Sequence, residues 1–437
     1  RNDWFSVLNP EFNSIFYPSV GGSWIFSDTF GSKPSWLSFG KIRASWAQVG
    51  IANINPYAAN LDYSLNGNTH LGYTMATFSS AGGNSGNIPN PSLQPALSTE
   101  IEFGIDFRLF NNRFGVDFTY YDQKTTDDIL NATISRGSGF GATSVNIGEI
   151  ANKGIELLVS GTPIQGPFTW DISVNIAKNT NEVVSLIEGN EELSAEEPRT
   201  RNVRIKHIVG QPFGTITGRV QQTTPDGVPI FNEDGTPLAS EDYVPIGNGV
   251  PDFTGGVNNT FNYKGFNLDF LIDFKSGGEI FSGTNNRLTQ WGLHQQSLIG
   301  RAGEQPLRIT GVTNTGTTDA PVYTPVDRDL TVEEAQIYWS RIGGESTAIS
   351  DMFIYDASFV KLRQVSLGYS FPKRFLEKTP IQNLRVSLVG RNLWVINKNI
   401  DNVDPESTYS TNAGAQGLEY FAMPVTRTYG FNINVGF

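Results

Sequence analysis

The sequence predicts an all-β fold, a transmembrane antiparallel β-barrel, and three observations predict it. Apolar and polar residues alternate with a period of two in segment after segment from end to end. At least eleven such segments can be counted, many about 10 to 13 residues long; soluble strands run about 5–6 residues, and a tilted strand needs about 9–11 to cross a bilayer. The connections are one-sided, with turns of a few residues alternating with long loops, as in barrels whose two rims differ.

The segments follow one another as hairpins. The first pair spans about 14–26 and 36–49, with Ile42, Ala44 and Trp46 opposite Lys41, Arg43 and Ser45. From Glu100, one face carries Ile101, Phe103, Ile105, Phe107 and Leu109, and the other Glu102, Gly104, Asp106 and Arg108. A turn at 111–113 leads to Phe114, Val116, Phe118 and Tyr120, alternating with Gly115, Asp117 and Thr119. Ile155, Leu157 and Val159 precede a turn at 163–167, after which Phe168, Trp170, Ile172 and Val174 oppose Asp171 and Ser173. A strand from Phe253 turns at Lys264–Gly265 into Phe266, Leu268, Phe270 and Ile272, set against Asn267, Asp269 and Asp273. Val365, Leu367, Tyr369 and Phe371 precede Leu384, Val386 and Leu388, and the chain closes on Tyr429, Phe431, Ile433, Val435 and Phe437. Long outward loops are expected at about 51–97, 125–149, 179–250, 277–356 and 396–423. Aromatics beside the short turns (Phe110, Phe114, Phe168, Trp170, Tyr263 and Phe266) are expected to form an interfacial girdle. A soluble sandwich would also alternate, but it needs a second apolar layer over each apolar face and gives no reason for strands this long.

Composition agrees. Charged residues are 17% and aromatics 12%, with 46 Gly among 437 residues, a mix that suits strands and turns. No run of about 18 apolar residues marks a membrane helix. A net charge of −12 argues against a nucleic-acid partner. There is no cysteine, and the three histidines (His70, His207 and His294) lack ligand spacing, so no metal or cofactor is expected. "NEDG" (232–235) lacks the closing Glu of a calcium loop and reads as a turn. "LTVEEAQIYWSRIGG" reads as a helix with a Thr331–Glu334 capping box, ended by Gly343 or Gly344. The chain opens "RNDWF" without Met, as an internal or processed piece would.

Several blocks in order resemble one family. "NPSLQPALSTEIEFGIDFRLFNNRFGVDFTYYDQKTTDDI" (90–129), "NIGEIANKGIELLVSGTPI" (146–164), "FTWDISVNIAKNTNEVVSL" (168–186), "PDFTGGVNNTFNYKGFNLDF" (251–270) and "ASFVKLRQVSLGYSFP" (357–372), followed by "RVSLVGRNLWVI" and "VDPES", are similar to the SusC/RagA-type TonB-dependent outer-membrane transporters. The resemblance covers the chain from about Trp24. It implies the C-terminal half of a 22-stranded barrel in a Gram-negative outer membrane, multi-pass and bathed in lipid, with the plug not in this chain. It implies active import of glycans or oligopeptides, a SusD-like surface lipoprotein as lid, and energy coupling to TonB-ExbB-ExbD through an N-terminal part. The remaining strands and plug would come from another segment or chain. A surface-binding or adhesin barrel and a passive porin stay open as alternatives, and no motif pairs a nucleophile with a base.

Alternation assigns Glu102, Asp106, Asp117, Asp171 and Asp269, with Asp273, to the lumen, an acidic lining expected to disfavour anionic substrates. Tyr57, Tyr63, Trp291, Trp339 and Tyr409 are the candidate stacking residues for substrate in the loops, although for Trp339 packing its loop down is the first reading. Tyr429, Phe431 and Phe437 resemble the terminal-strand signal read by the outer-membrane assembly machinery.

Overall fold

In a computed structural model, all residues are described except 30–32, 57–58, 71–72, 81–86, 136, 138–139, 188, 196–201, 318–319, 345–346, 409 and 411–412; for 61–70, 73–80 and 133 the backbone alone is described. The chain is dominated by one meander of eleven strands, each hydrogen-bonded to the next in sequence. They are β1 (Ser19–Trp24), β2 (Leu37–Ile51), β3 (Ala96–Leu109), β4 (Phe114–Thr133), β5 (Ala142–Ile164) and β6 (Phe168–Ser185). The meander continues with β7 (Phe253–Tyr263), β8 (Phe266–Ser276), β9 (Phe359–Ser370), β10 (Asn383–Lys398) and β11 (Thr428–Gly436). Every pairing along it is antiparallel. Asn87–Ile88 adds a short parallel bridge to β5. Among the described residues, β1 and β11 are the edges of this sheet.

Register fixes the rims. Leu109 pairs with Phe114, Tyr263 with Phe266 and Asn383 with Gly436. The short turns at 110–113, 165–167 and 264–265 therefore share one rim with the end of β11, and the long connections leave from the other. Two of these three turns use left-handed backbone. Phe110, Asn111 and Asn112 have φ of 53, 60 and 63°, and Lys264–Gly265 have 47 and 88°. A two-residue hairpin with both central φ values positive matches strand twist. At Gly265 a Cβ would also stand 2.8 Å from the Ser370 carbonyl, so glycine is required twice over.

The faces follow the alternation. Ile101, Phe103, Phe266, Leu367 and Leu388 are exposed, and β11 is exposed along almost its whole length. Aligned pairs place Phe168, Tyr263, Phe266, Tyr369, Val386 and Ile433 on one rung of the apolar face beside the short turns. A ring stack lies further in. Phe261 packs against Trp170 at 5.9 Å and against Phe270 at 6.0 Å.

The long connections differ from the expectation of simple loops. Strands β4 and β5 run on to Thr133 and from Ala142, so the connection there is 134–141 and not 125–149. The stretches 186–252, 277–358 and 399–427 fold together into a crown. Ala195, Val203, Ile205 and Ile216 from the first, Phe281, Trp339, Ile342, Ile349 and Phe353 from the second, and Leu418 from the third form one buried core. Three small sheets hold it. One joins Glu192–Ser194, Val203–Ile208, Thr215–Gly218 and Val244–Asn248; a second joins Ile230–Phe231 to the hairpin Arg308–Asn314/Tyr323–Asp329; the third joins Glu279–Ser282 to Ile354–Asp356 and Leu418–Glu419. Two helices complete it, α1 (Gly283–Gln290) and α2 (Val332–Ile342). In α2 the Glu334 amide donates to Thr331 Oγ1 at 3.2 Å and the Thr331 amide donates to Glu334 Oε2 at 2.8 Å, the expected capping box.

Candidate functional site

The polar face of the sheet is charged, and its carboxylates have partners. Paired residues set Lys41, Asp106, Asp117, Leu158, Asn175, Gly256, Asp273 and Lys361 on one rung. Arg43 Nε donates to Glu102 at 3.1 Å, and its Nη2 donates to Asp117 at 3.0 Å and to Thr119 Oγ1. The absence of a side chain at Gly104 gives Arg43 its room: a Cβ there would stand 2.3 Å from the guanidinium carbon. Asp171 accepts from Thr162 Oγ1 at 2.6 Å, and Asp269 accepts from Thr260 Oγ1 at 2.9 Å. Asp106 lies 4.0 Å from Arg108. The carboxylates share one face; Arg43 pairs with two of them and threonine hydroxyls donate to two more, contacts between strands that alternation within a single strand cannot show.

Where the crown meets this face, the 399–427 strap is clamped. Lys361 on β9 is 2% exposed and donates to Asp404 Oδ1 at 2.6 Å and to Glu406 Oε2 at 2.5 Å. Arg363 donates to Glu406 Oε1 at 2.8 Å and, through Nε, to Asp273 at 2.9 Å. Burial pushes the Glu406 carboxyl up, but Arg363 and Lys361 outweigh it and hold the group below the usual carboxylate range. Asp404 and Glu406 belong to the "VDPES" block, whose acidity the sequence displays without naming its partners. A cavity of about 650 Å³ opens beside this clamp, lined by Asp273, Lys275, Glu279, Phe359, Glu406 and Gln416 among others.

A second buried carboxylate ties the strap to α1. Glu419 is wholly buried and accepts from Ser282 Oγ at 2.9 Å, Thr284 Oγ1 at 2.5 Å and the amides of Thr284 and Ala422 at 3.2 Å. A helix N-terminus suits a negative charge, and these donors replace its lost water.

Two of the five candidate aromatics line one cavity. A cavity of about 360 Å³ between α1, 291–301 and α2 is lined by Trp291, Trp339, Ile299, Arg301, Gln336 and Ser340 among others. Trp291 is 58% exposed and stacks on Phe421 of the strap at 6.2 Å and 19°. Trp339 is 8% exposed and its indole N–H donates to the Ile299 carbonyl at 2.8 Å. Trp339 thus packs its loop down, the first of the two roles open to it, while Trp291 stays exposed. Tyr57 and Tyr409 lie outside the described residues, as does the side chain of Tyr63. Phe421 is new. No alternation or motif surrounds it, and only the folded crown reveals its pairing with Trp291.

Elsewhere in the crown, burial pushes the His207 imidazole down to about 4 while its ring stacks on Phe213 at 4.0 Å. Arg328 and the Thr331 amide hold Glu334 down at about 2. "NEDG" is a turn: Asp234 Oδ1 accepts from the Thr236 amide at 3.1 Å and from Thr236 Oγ1 at 2.6 Å.

The family model described as TonB dependent receptor-like, beta-barrel, matches residues 1–393. The chain belongs to the TonB-dependent receptor-like β-barrel family. It is 26% identical over its full length to TonB-dependent receptor P3 of Formosa agariphila, of which the match covers 43%. It is 27% identical over 89% of its length to TonB-dependent receptor SusC of Bacteroides thetaiotaomicron, of which 37% is covered. The chain therefore spans less than half the length of these curated relatives. Among solved structures, the RagAB peptide importer in its "closed-closed" state superposes with a TM-score of 0.73 at 20% identity, covering 99% of this chain and 45% of that one. The SusC/RagA-type likeness and the barrel fold expected from the sequence are both recovered. This is part of an outer-membrane β-barrel.

Proposed function

We propose that this chain forms part of a TonB-dependent importer of glycans or oligopeptides, non-enzymatic and working with a SusD-like surface lipoprotein as lid. The crown carries the reading. Three connections pack into one core, and a strap clamped by Lys361 and Arg363 holds that core over the polar face. Such a rigid platform at the rim of a lumen suits capture of a large solute, which a set of floppy loops would bind with a heavier ordering cost. In this reading the long connections face outward, and Glu102, Asp106, Asp117, Asp171 and Asp269 line the lumen. Trp291, backed by Phe421, offers the stacking face beside the 360 Å³ cavity, with Tyr57, Tyr63 and Tyr409 as further candidates. The plug, the other strands and contact with TonB-ExbB-ExbD come from outside this chain. Tyr429, Phe431 and Phe437 serve as the assembly signal.

The test is uptake. Cells with the receptor gene deleted and restored should take up labelled oligosaccharide or peptide pools only with the gene and only with functional TonB. Uptake that survives loss of TonB would point to the passive porin, and binding without uptake to the adhesin barrel. In the restored strain, Trp291→Ala should lower uptake at limiting substrate and leave receptor abundance unchanged.

A further inference from the structure

The short-turn rim carries a charge pattern unlike that of the chain as a whole. Net charge is −12, yet two abutting turns on this rim hold Lys264, Lys373, Arg374 and Lys378, with Glu377 the acid among them. The turns touch: the Ser370 amide donates to the Gly265 carbonyl at 2.8 Å. Residues 373–375 and 377–380 are exposed. None of the four cations forms an ion pair among the described residues, whereas Arg43, Lys361 and Arg363 of the polar face are all paired.

Directly beneath the cations, on the lipid face, lies a band of rings. Phe266 and Tyr369 meet at 4.7 Å, and Tyr369 meets Phe371 at 5.1 Å. Lys264 sits over the Tyr263 ring at 5.1 Å, and Arg374 over Phe375 at 4.9 Å. Phe266 is 56% and Phe375 60% exposed. Rings at this position sit where acyl chains meet headgroups. Unpaired cations one to a few residues further out then stand at the height of the lipid phosphates. A zwitterionic headgroup carries its own ammonium and leaves such cations half-answered; a net-anionic one does not.

We propose that this rim, centred on Lys264, Lys373, Arg374 and Lys378, is a binding surface for anionic phospholipid headgroups in the leaflet on the short-turn side. The site is separate from the solute path and does not depend on what is transported.

The test uses the full-length receptor that contains this chain, purified in detergent and mixed with equimolar phosphatidylglycerol and phosphatidylethanolamine. Native mass spectrometry reads the ratio of the two lipids retained. The wild type should retain phosphatidylglycerol in excess, and raising salt from about 0.05 to about 0.5 M should erode the excess, because the Debye length shrinks several-fold. Each exposed cation contributes on the order of a fivefold preference for an anionic surface, so K264Q/K373Q/R374Q/K378Q should cut the excess roughly tenfold or more. R308Q, on the opposite rim, should leave it unchanged. Equal retention by the wild type, a salt-independent excess, or an equal loss in R308Q would each overturn the proposal. Should the quadruple variant fail to fold, K373Q/R374Q alone should still lower the excess several-fold, and no change there would be decisive against it.

Discussion

Lys361 Nζ lies 2.6 Å from Asp404 Oδ1, and their side chains are 2% and 7% exposed. The pair joins a barrel strand to the strap that closes the crown. Removing one partner of a buried pair leaves the other charge without water or counterion, at a cost of about 3–5 kcal/mol. Lys361→Met should therefore release 399–427 and leave the sheet intact. Hydrogen exchange should rise in the strap and stay unchanged in β7 to β10. Lys361→Met with Asp404→Leu should restore most of the protection, since paired apolar replacement is often neutral. A single variant as protected as the wild type would remove the strap from this account.

Acidification should loosen the crown through His207. The ring is 3% exposed and its Nδ1 lacks a partner among the described residues. Its folded-state pKa, about 4, lies below its ordinary 6.5. Between these values the opened state binds a proton that the folded state does not, so stability falls as pH falls. The contribution is complete above about pH 6.5 and lost by about pH 4, on the order of 3 kcal/mol in all. Exchange at 203–218, corrected for intrinsic rate, should accelerate across that window. His207→Leu should flatten the dependence, and a wild type with no pH response in these strands would count against the role given to the ring.

How far the sequence showed all this depends on the length scale of each feature. The barrel strands were legible because their alternation runs ten residues or more, and a bilayer on one side enforces it. Gly265 and Asn111–Asn112 marked the turns by their conformational demands. The crown was hidden: its strands are two to seven residues, as in Ile230–Phe231 and Arg308–Asn314. Periodicity cannot register in so few residues, so about 179–250 and 277–356 read as loops. The helix at 332–342 stood out within them because its capping box is a local signal. Charge pairs such as Arg43–Glu102 and Lys361–Asp404 join residues 59 and 43 positions apart, and only register brings them together.

One polar group on the apolar face depends on its neighbour. Asn259 lies among the apolar residues of β7, is 7% exposed, and accepts from the Trp170 indole N–H at 3.1 Å. The indole covers the amide and satisfies its oxygen, which lipid would leave without a donor. Trp170→Phe keeps the ring stack and removes the donor. It should cost about 1–3 kcal/mol, the range for an unsatisfied buried group. The heat-modifiability midpoint of the full-length receptor on gels would report the loss. Trp170→Phe with Asn259→Val should regain most of it. If the single variant melts like the wild type, the amide has found another partner.

The last expectation sets the two faces against each other at adjacent positions. Leu268 pairs with Phe261 and Leu367 on the apolar face, while Asp269 pairs with Thr260 and Ser366 on the polar one. The two positions share a strand and nearly the same depth, so position along the membrane normal cancels in the comparison. Leu268→Arg would place a cation against hydrocarbon, at about 2–4 kcal/mol near the midplane and less toward either interface. Asp269→Asn keeps the size of the side chain and can still accept from Thr260 Oγ1, now 2.9 Å away. It should cost less than about 1 kcal/mol, the worth of one polar contact with water nearby. Urea unfolding of the receptor refolded into vesicles measures both. Leu268→Arg should shift the midpoint further than Asp269→Asn. The reverse order would mean that the rung through Asp171, Thr260 and Asp269 faces lipid, and the assignment of the lumen would fall with it.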